Sequence, residues 1–229
     1  MGLTVATYNI HACIGTDGRF EPGRIVDVLQ ELDVDVVALQ EVEHHDFEGY
    51  DLLDYLARKT GLTPIAGPNL LRGSRHYGNA ILTRLPILAS KPVDLSLPGH
   101  EPRGAIDVTL DGNGRRVQVV ATHLGLMPGE RRHQVRELLK LFDIGLTDIY
   151  ILLGDLNEWF LWGRPLRWLH AHFKSTPHCP TFPSRWPLMA LDRLWVHPRR
   201  RLQKVEAHTS KLARIASDHL PLKAVIKTD

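Results

Sequence analysis

Eight polar residues of this 229-residue chain fall at the ends of apolar strands, where a protein core would not choose them. Asn9 closes Leu3-Thr-Val-Ala-Thr-Tyr8, Glu41 closes Ala38-Leu-Gln40, and His123 closes Val119-Val-Ala-Thr122. Asp155 and Asn157 follow Leu152-Leu-Gly154. Asp192 lies at the start of Leu191-Asp-Arg-Leu-Trp-Val196, and Asp218 and His219 precede Leu222 to Ile226. Asp155 alone, before Leu156, would read as a turn residue. A buried carboxylate is costly unless it is paired or binds a cation, and six such endings in one chain are hard to explain as turns. If the ends share one rim, they gather four carboxylates, two amides and two imidazoles. That hard-oxygen set suits Mg²⁺ or Mn²⁺ rather than a zinc–thiolate centre.

Particular elements must hold such a rim. Pro22 to Leu32 puts Ile25, Val28, Leu29 and Leu32 on one helical face, with Pro22 suited to a first turn. Val34 to Leu39 is apolar apart from Asp35 and carries β-branched residues, expected as a strand buried on both faces. Leu52 to Thr60 reads as a helix stopped at Gly61. Further strands are expected at Ala80 to Thr83, Ala105 to Leu110, Val117 to Thr122 and Tyr150 to Leu153, with Asp111-Gly-Asn-Gly114 as a hairpin turn. Glu130 to Phe142 forms an amphipathic helical pattern, and a shorter helix is expected over Pro165 to His172. The final strands are Leu191 to Val196, Leu202 to His208 and Leu222 to Ile226. Strands joined by both hairpins and helices predict two sheets packed face to face with helices outside. No repeat or long linker divides the chain, so residues 1–229 are expected to form one domain.

Composition narrows the partners. Apolar residues at 43% and charged residues at 24% are ordinary for a globular protein. A formal net charge of +2 provides no strong basic field for nonspecific nucleic-acid binding. Cys13 and Cys179 match no zinc or redox spacing and are expected as reduced thiols. No run reaches the length of a membrane span. Leu3 to Tyr8 already reads as a strand rather than a signal peptide, so a cytoplasmic monomer is the default expectation.

Seven segments share an order that runs over nearly the whole chain: Thr7-Tyr-Asn-Ile10, Leu39-Gln-Glu-Val42, Tyr77-Gly-Asn-Ala-Ile81, Thr122-His-Leu124, Gly154-Asp-Leu-Asn157, Leu191-Asp-Arg-Leu-Trp-Val196 and Ser217-Asp-His-Leu-Pro221. Together they resemble the endonuclease/exonuclease/phosphatase superfamily, the metal-dependent phosphoesterases that include pancreatic-type deoxyribonucleases, abasic-site endonucleases, inositol polyphosphate phosphatases and bacterial sphingomyelinases. The resemblance implies a four-layer α/β sandwich: two mixed β-sheets face to face, helices on both outer sides, and the site at one rim. It implies Glu41 as the metal-binding glutamate, with Asn9 beside it and Asp218 near the metal. It implies Asp155 as the aspartate that orients or deprotonates water, and Asn157 as a phosphate-holding amide. His219 would face the scissile phosphate, paired with Asp192. His123 matches the phosphate-contacting histidine of the deoxyribonuclease and sphingomyelinase branches; the abasic-endonuclease branch has a tyrosine there, so this chain departs from that branch.

Weaker signals surround these. Arg103, just before a strand, is a candidate phosphate contact or a surface salt bridge. Asn79 at a strand start is expected at the site rim, and Tyr77 as packing or pocket lining. His44 and His45 read as solvated loop residues, and Arg131-Arg-His133 and Arg199-Arg-Arg201 as solvated basic runs. Glu158-Trp-Phe-Leu-Trp162 is the most unusual segment. One expectation is that it packs inward ahead of the next helix. The other is an apolar lip in which Trp159 and Trp162, joined by Trp186, bind substrate or touch a membrane surface; stacking on nucleobases would use the same rings. The expected function is hydrolysis of a phosphodiester, on a phospholipid headgroup or another small phosphoester. A DNA or RNA nuclease is the alternative, and an inactive binding module on the same fold is the second.

Overall fold

The computed structural model describes residues 2–44, 46–47, 49–72, 75–142 and 145–229. In chain order the elements are β1 (Gly2–Asn9), α1 (Pro22–Leu32), β2 (Val36–His44), the short ribbon β3 (Asp46–Phe47) and β4 (Tyr50–Asp51), α2 (Leu52–Thr60), β5 (Thr63–Arg72), β6 (Arg75–Thr83) and β7 (Ile87–Asp94). There follow β8 (Gly104–Asp111), β9 (Arg116–His123), α3 (Pro128–Leu139), β10 (Ile149–Asp155), α4 (Arg164–Phe173), β11 (Asp192–His197), β12 (Leu202–Ala207), α5 (Ala213–Ala216) and β13 (Leu222–Lys227). His45 lies outside the described residues.

The strands form a six-stranded sheet, β12-β13-β1-β2-β6-β5, and a five-stranded sheet, β11-β10-β9-β8-β7. Each sheet is mixed. β1 runs parallel to β2 with α1 between them, and β9 runs parallel to β10 with α3 between them. A parallel pair needs such a crossover, whereas hairpins suffice for the antiparallel neighbours.

Alternation of side chains along the strands builds the layers. Val36 and Ala38 of β2 face the second sheet, where they meet Ile151 and Leu153 of β10. Val37 and Leu39 face the other way, onto Ile25 and Leu29 of α1 and Leu52 and Leu56 of α2. Tyr150 and Leu152 of β10 pack outward against Val135 and Leu138 of α3 and Leu166 and Leu169 of α4. The result is the expected four-layer α/β sandwich, with helices on both outer sides. No helix among the described residues is long and apolar enough to cross a membrane.

Within the two main sheets the sequence pattern leaves two strands unmarked, β5 and β7, and each is a sheet edge. β5 contains Pro64, Gly67 and Pro68, and β7 contains Pro92 and is exposed along most of its length. Proline lacks a donor, so it is tolerated where one side of the strand has no neighbour. In sequence, proline and glycine carry the signal of a turn rather than of a strand.

Candidate active site

Strand register brings the polar ends together. Asn9 pairs with Gln40 across the parallel β1–β2 ladder, one residue before Glu41. Asp155 pairs with His123 on one side and Asp192 on the other, so three neighbouring strands end in functional side chains. Glu41 sits where the β2–β6 register shifts between Leu39 and Val42, with φ 59°. A bulge with a left-handed residue re-aims a side chain, and such strain gathers at functional sites. Gly154, at φ 149°, lets β10 approach β9; a Cβ there would lie 1.9 Å from the Thr122 carbonyl oxygen.

At the second sheet's end, His219 from the segment before β13 of the first sheet joins a buried group of carboxylates. His219 Nδ1 donates to Asp192 Oδ2 at 2.8 Å, and Thr181 Oγ1 donates to the same oxygen at 2.6 Å. His219 Nε2 lies 3.7 Å from Asp155 Oδ2. Burial pulls the His219 imidazole down, but the Asp192 and Asp155 carboxylates outweigh it and push its pKa up to about 10. The shared proton sits on the imidazole, because Thr181 Oγ1 already donates to Asp192 Oδ2 and a second carboxylate, Asp155, faces the ring's other nitrogen. Burial pushes Asp155 up, yet His219, His123, the Asn157 N–H and the Asn9 amide together hold it below the usual carboxylate range. A carboxylate this enclosed loses several kcal/mol of solvation, and those partners offset it.

His123 is held differently. Arg103 Nη1 donates to His123 Nδ1 at 3.1 Å, so that nitrogen carries no proton. Burial lowers the His123 pKa, and the Arg103 charge adds to this. The ring is therefore neutral with its proton on Nε2, 3.5 Å from Asp155 Oδ2 and 3.1 Å from Asn157 Nδ2. The Asn157 amide is oriented by its donation to Leu124 O at 2.9 Å, and the residue has a left-handed φ of 49°. With the proton on Nε2, the Asn157 amide nitrogen 3.1 Å away cannot donate to the ring, so both N–H groups are left to donate to another acceptor.

The first sheet's end fits a divalent cation. Burial pushes the Glu41 carboxyl up, but His123, the Asn9 amide and the Tyr77 hydroxyl outweigh it and lower its pKa. Glu41 is only half-buried, so an ionised oxygen edge faces solvent. Asp218 is also partly exposed, with its Oδ1 3.9 Å from His11 Nδ1 and 3.4 Å from Ser217 Oγ. Asp155, Asp192 and His219 also bring ligand-type atoms within 4.8 Å of one another. His219 gives Nδ1 to Asp192 and turns Nε2 toward Asp155.

Several expected residues have other surroundings than their sequence suggests. Asn9 presents Nδ2, not an oxygen, to Glu41 Oε1 at 3.0 Å and Asp155 Oδ2 at 3.1 Å; its Oδ1 accepts from His11 N. It spaces two carboxylates rather than offering a ligand. Asn79 is fully buried below the rim and donates to Gly104 O at 3.0 Å, bracing the residue after Arg103. Arg103 is buried and is no surface salt bridge; it joins His123 to Glu101. Tyr77 hydrogen-bonds Glu41. Arg131 is not solvated but 2% exposed, bonded to Glu158 and to the carbonyls of Gly125 and Leu126. Trp159 and Trp162 do not pack inward: they are 54% and 72% exposed, and α4 starts beyond them at Arg164. Trp186 is exposed on the loop that carries Thr181 and Phe182 to Asp192 and His219. Both cysteines are free thiols.

Thr181, Phe182 and Ser217 were not assigned roles from sequence. Thr181 bonds Asp192, and the Phe182 ring lies 4.8 Å from the His219 ring. Ser217 Oγ donates to Asn9 O and accepts from His219 N, tying the two walls together. Only Ser217 had a local signal, its place beside Asp218 and His219.

Known proteins bear on this arrangement. The profile described as Endonuclease/Exonuclease/phosphatase family matches residues 6–219. The uncharacterised protein YbhP of Escherichia coli (strain K12) is 29% identical over 247 aligned residues, covering 97% of this chain and 95% of YbhP. An endonuclease/exonuclease/phosphatase structure from Beutenbergia cavernae superposes with a TM-score of 0.79 at 23% identity, covering 99% of this chain and 71% of that one. The Bacteroides thetaiotaomicron mannosyl-6-phosphatase Bt3783 superposes with a TM-score of 0.76 at 19% identity, covering 98% and 99%.

Proposed function

Because the chain belongs to the endonuclease/exonuclease/phosphatase family, a family of hydrolytic phosphoesterases, we propose that it is a divalent-metal-dependent phosphodiesterase that cleaves its substrate by in-line attack of water. The observation that carries this reading is the His219 imidazolium, paired at 2.8 Å with Asp192 and lying 3.7 Å from the ionised Asp155. A fixed cation beside a fixed anion is what phosphoryl transfer to water requires: stabilisation of the pentacovalent charge and an acceptor for the water proton.

His219 Nε2–H would contact a non-bridging oxygen. Asp155 Oδ2, next to it, would orient water and accept its proton. His123 Nε2–H and the Asn157 amide would hold a second phosphoryl oxygen, with Arg103 keeping the His123 proton on the correct nitrogen. Glu41 and Asp218 would hold the Mg²⁺ or Mn²⁺, which when bound supplies charge neutralisation at the phosphate.

The test is hydrolysis by the purified protein, with Mg²⁺ or Mn²⁺ and with chelator. The substrates are phospholipids, sphingomyelin, soluble diesters, phosphomonoesters, plasmid and single-stranded DNA, and RNA, with Glu41→Ala as the blank. Cation-dependent cleavage of a phosphodiester, lost in the blank, is expected. Turnover that survives chelation or the Glu41→Ala change, or turnover of monoesters alone, would overturn the reading.

A further inference from the structure

Two apolar turns project beside His123 and Asn157. After Asn157 and the buried Glu158 come Trp159, Phe160, Leu161 and Trp162, all about half exposed or more. After Leu124 and Gly125 come Leu126 and Met127, 63% and 56% exposed. The turns are cross-linked from beneath. The buried Arg131 guanidinium donates to Glu158 Oε2 at 3.3 Å, to Gly125 O at 3.3 Å and to Leu126 O. Glu158 Oε1 accepts from Phe160 N at 3.2 Å, and Asn157 Nδ2 bonds Leu124 O at 2.9 Å. A buried ion pair is a poor source of stability but can fix geometry. Here it holds six large apolar side chains outward and in register with the phosphate-facing residues.

Surface charge in the two segments that carry the patch has one sign. In residues 125–136 and 157–167 the only carboxylates are Glu130 and Glu158, and both are buried. Arg164 and Arg167 are exposed, and Arg132 is half exposed. We propose that the two turns and their arginine rim are a docking surface for an anionic lipid bilayer. The aromatic and aliphatic side chains would enter the headgroup–acyl boundary, with the arginines on anionic headgroups. This rests on the phosphodiesterase reading and sharpens it: the substrate would be a phosphodiester in a lipid headgroup, presented to His123 and Asn157 at the membrane surface. Single-stranded nucleic acid fits less well. Base stacking needs free aromatic faces, whereas Leu126, Met127 and Leu161 offer none, and the Phe160 and Trp162 rings already pack on each other at 5.5 Å.

The test is co-sedimentation of the full chain with phosphatidylcholine vesicles, with and without roughly a third phosphatidylglycerol, at about 0.1 M salt. A single-stranded oligonucleotide is titrated in parallel. Wild type is expected to bind the anionic vesicles. Phe160→Ser/Leu161→Ser should weaken that binding at least about tenfold. Leu126→Ser/Met127→Ser, on the other turn, should weaken it as well. Arg164→Ala/Arg167→Ala should lose about fivefold per charge on anionic vesicles and little on neutral ones. All substituted side chains are exposed, and unchanged circular dichroism confirms the fold. No vesicle binding, binding equal in the apolar variants, or oligonucleotide binding that falls in their place would overturn the proposal. Hydrolysis by the wild-type protein is followed separately; absence of cation-dependent cleavage of every phosphodiester offered, lipid and soluble alike, would strike the catalytic reading, whereas vesicle binding alone decides the docking surface.

Discussion

The two walls of the site are built alike and hold charge in opposite ways. Each is a parallel strand pair with a helical crossover, and each ends its strands in polar residues. The β1–β2 wall is open: a bulge and a left-handed backbone turn a half-buried, ionised Glu41 toward solvent. The wall of β9, β10 and β11 is closed: His123, Asp155, Asp192 and the adjoining His219 are each no more than 5% exposed. An open carboxylate can take up a cation from solution. Enclosed groups cannot exchange freely, so their protons are set by neighbours. Asn9 joins the walls, one amide nitrogen shared by Glu41 and Asp155. On the proposed function, the open wall would take up the cation and the closed wall would place protons.

Equal sensitivity of both walls to the cation would erase that distinction. Glu41→Gln and Asp155→Asn are each expected to lower kcat by about 10²–10³, the usual loss for a charge-handling group. Their cation dependence should differ. Glu41→Gln should raise the Mg²⁺ concentration for half-maximal rate by at least about tenfold, whereas Asp155→Asn should leave it close to wild type. Cation titrations of the rate, with thermal unfolding to confirm folding, measure both.

A smaller effect isolates the closed wall. His219 stays charged until the pH rises through about 10, because Asp192 and Asp155 outweigh its burial. Its folded pKa lies above the unfolded value of about 6.5. It therefore stabilises the fold fully below that value, and the contribution disappears as pH rises through about 10. Asp192→Asn removes the largest raising influence. The alkaline limb of kcat should move down by at least about one pH unit, and the stability deficit of the variant should shrink toward pH 10. An unmoved limb in the pH–rate profile would remove His219 as the group that must stay protonated.

How much of this was legible in sequence depends on whether the signal was local. The four layers and the eight strand-end residues follow from periodicity and from polar types at the ends of apolar runs. Edge strands β5 and β7 were lost because proline and glycine signal turns, and only the missing neighbour makes them tolerable there. Asn9 was legible as a site residue but not as a spacer, since only the fold shows that its oxygen accepts from His11 N. Arg131 looked like part of a solvated basic run because its partner Glu158 lies on another crossover, 27 residues away. Thr181 had no local mark, because its function exists only once β11 and the loop before it bring it to Asp192.

Arg103 provides the finest test, because it acts on the closed wall without touching phosphate. By donating to His123 Nδ1 it selects the tautomer with the proton on Nε2. Arg103→Leu leaves both neutral tautomers open, and the one with Nε2 unprotonated would repel a phosphoryl oxygen. Loss of one such hydrogen bond is expected to raise KM about five- to tenfold near neutral pH, with kcat less affected. Burial keeps the His123 pKa low, so the ring protonates only when the pH falls below the ordinary imidazole range. Once both nitrogens carry protons, Nε2 donates whatever happens at Nδ1, and the KM defect should close. Arg103→Lys, which restores a donor, should recover part of the loss at neutral pH. A defect that persists unchanged into acid, or that Lys does not relieve, would assign Arg103 to support of the Glu101 loop rather than to the histidine.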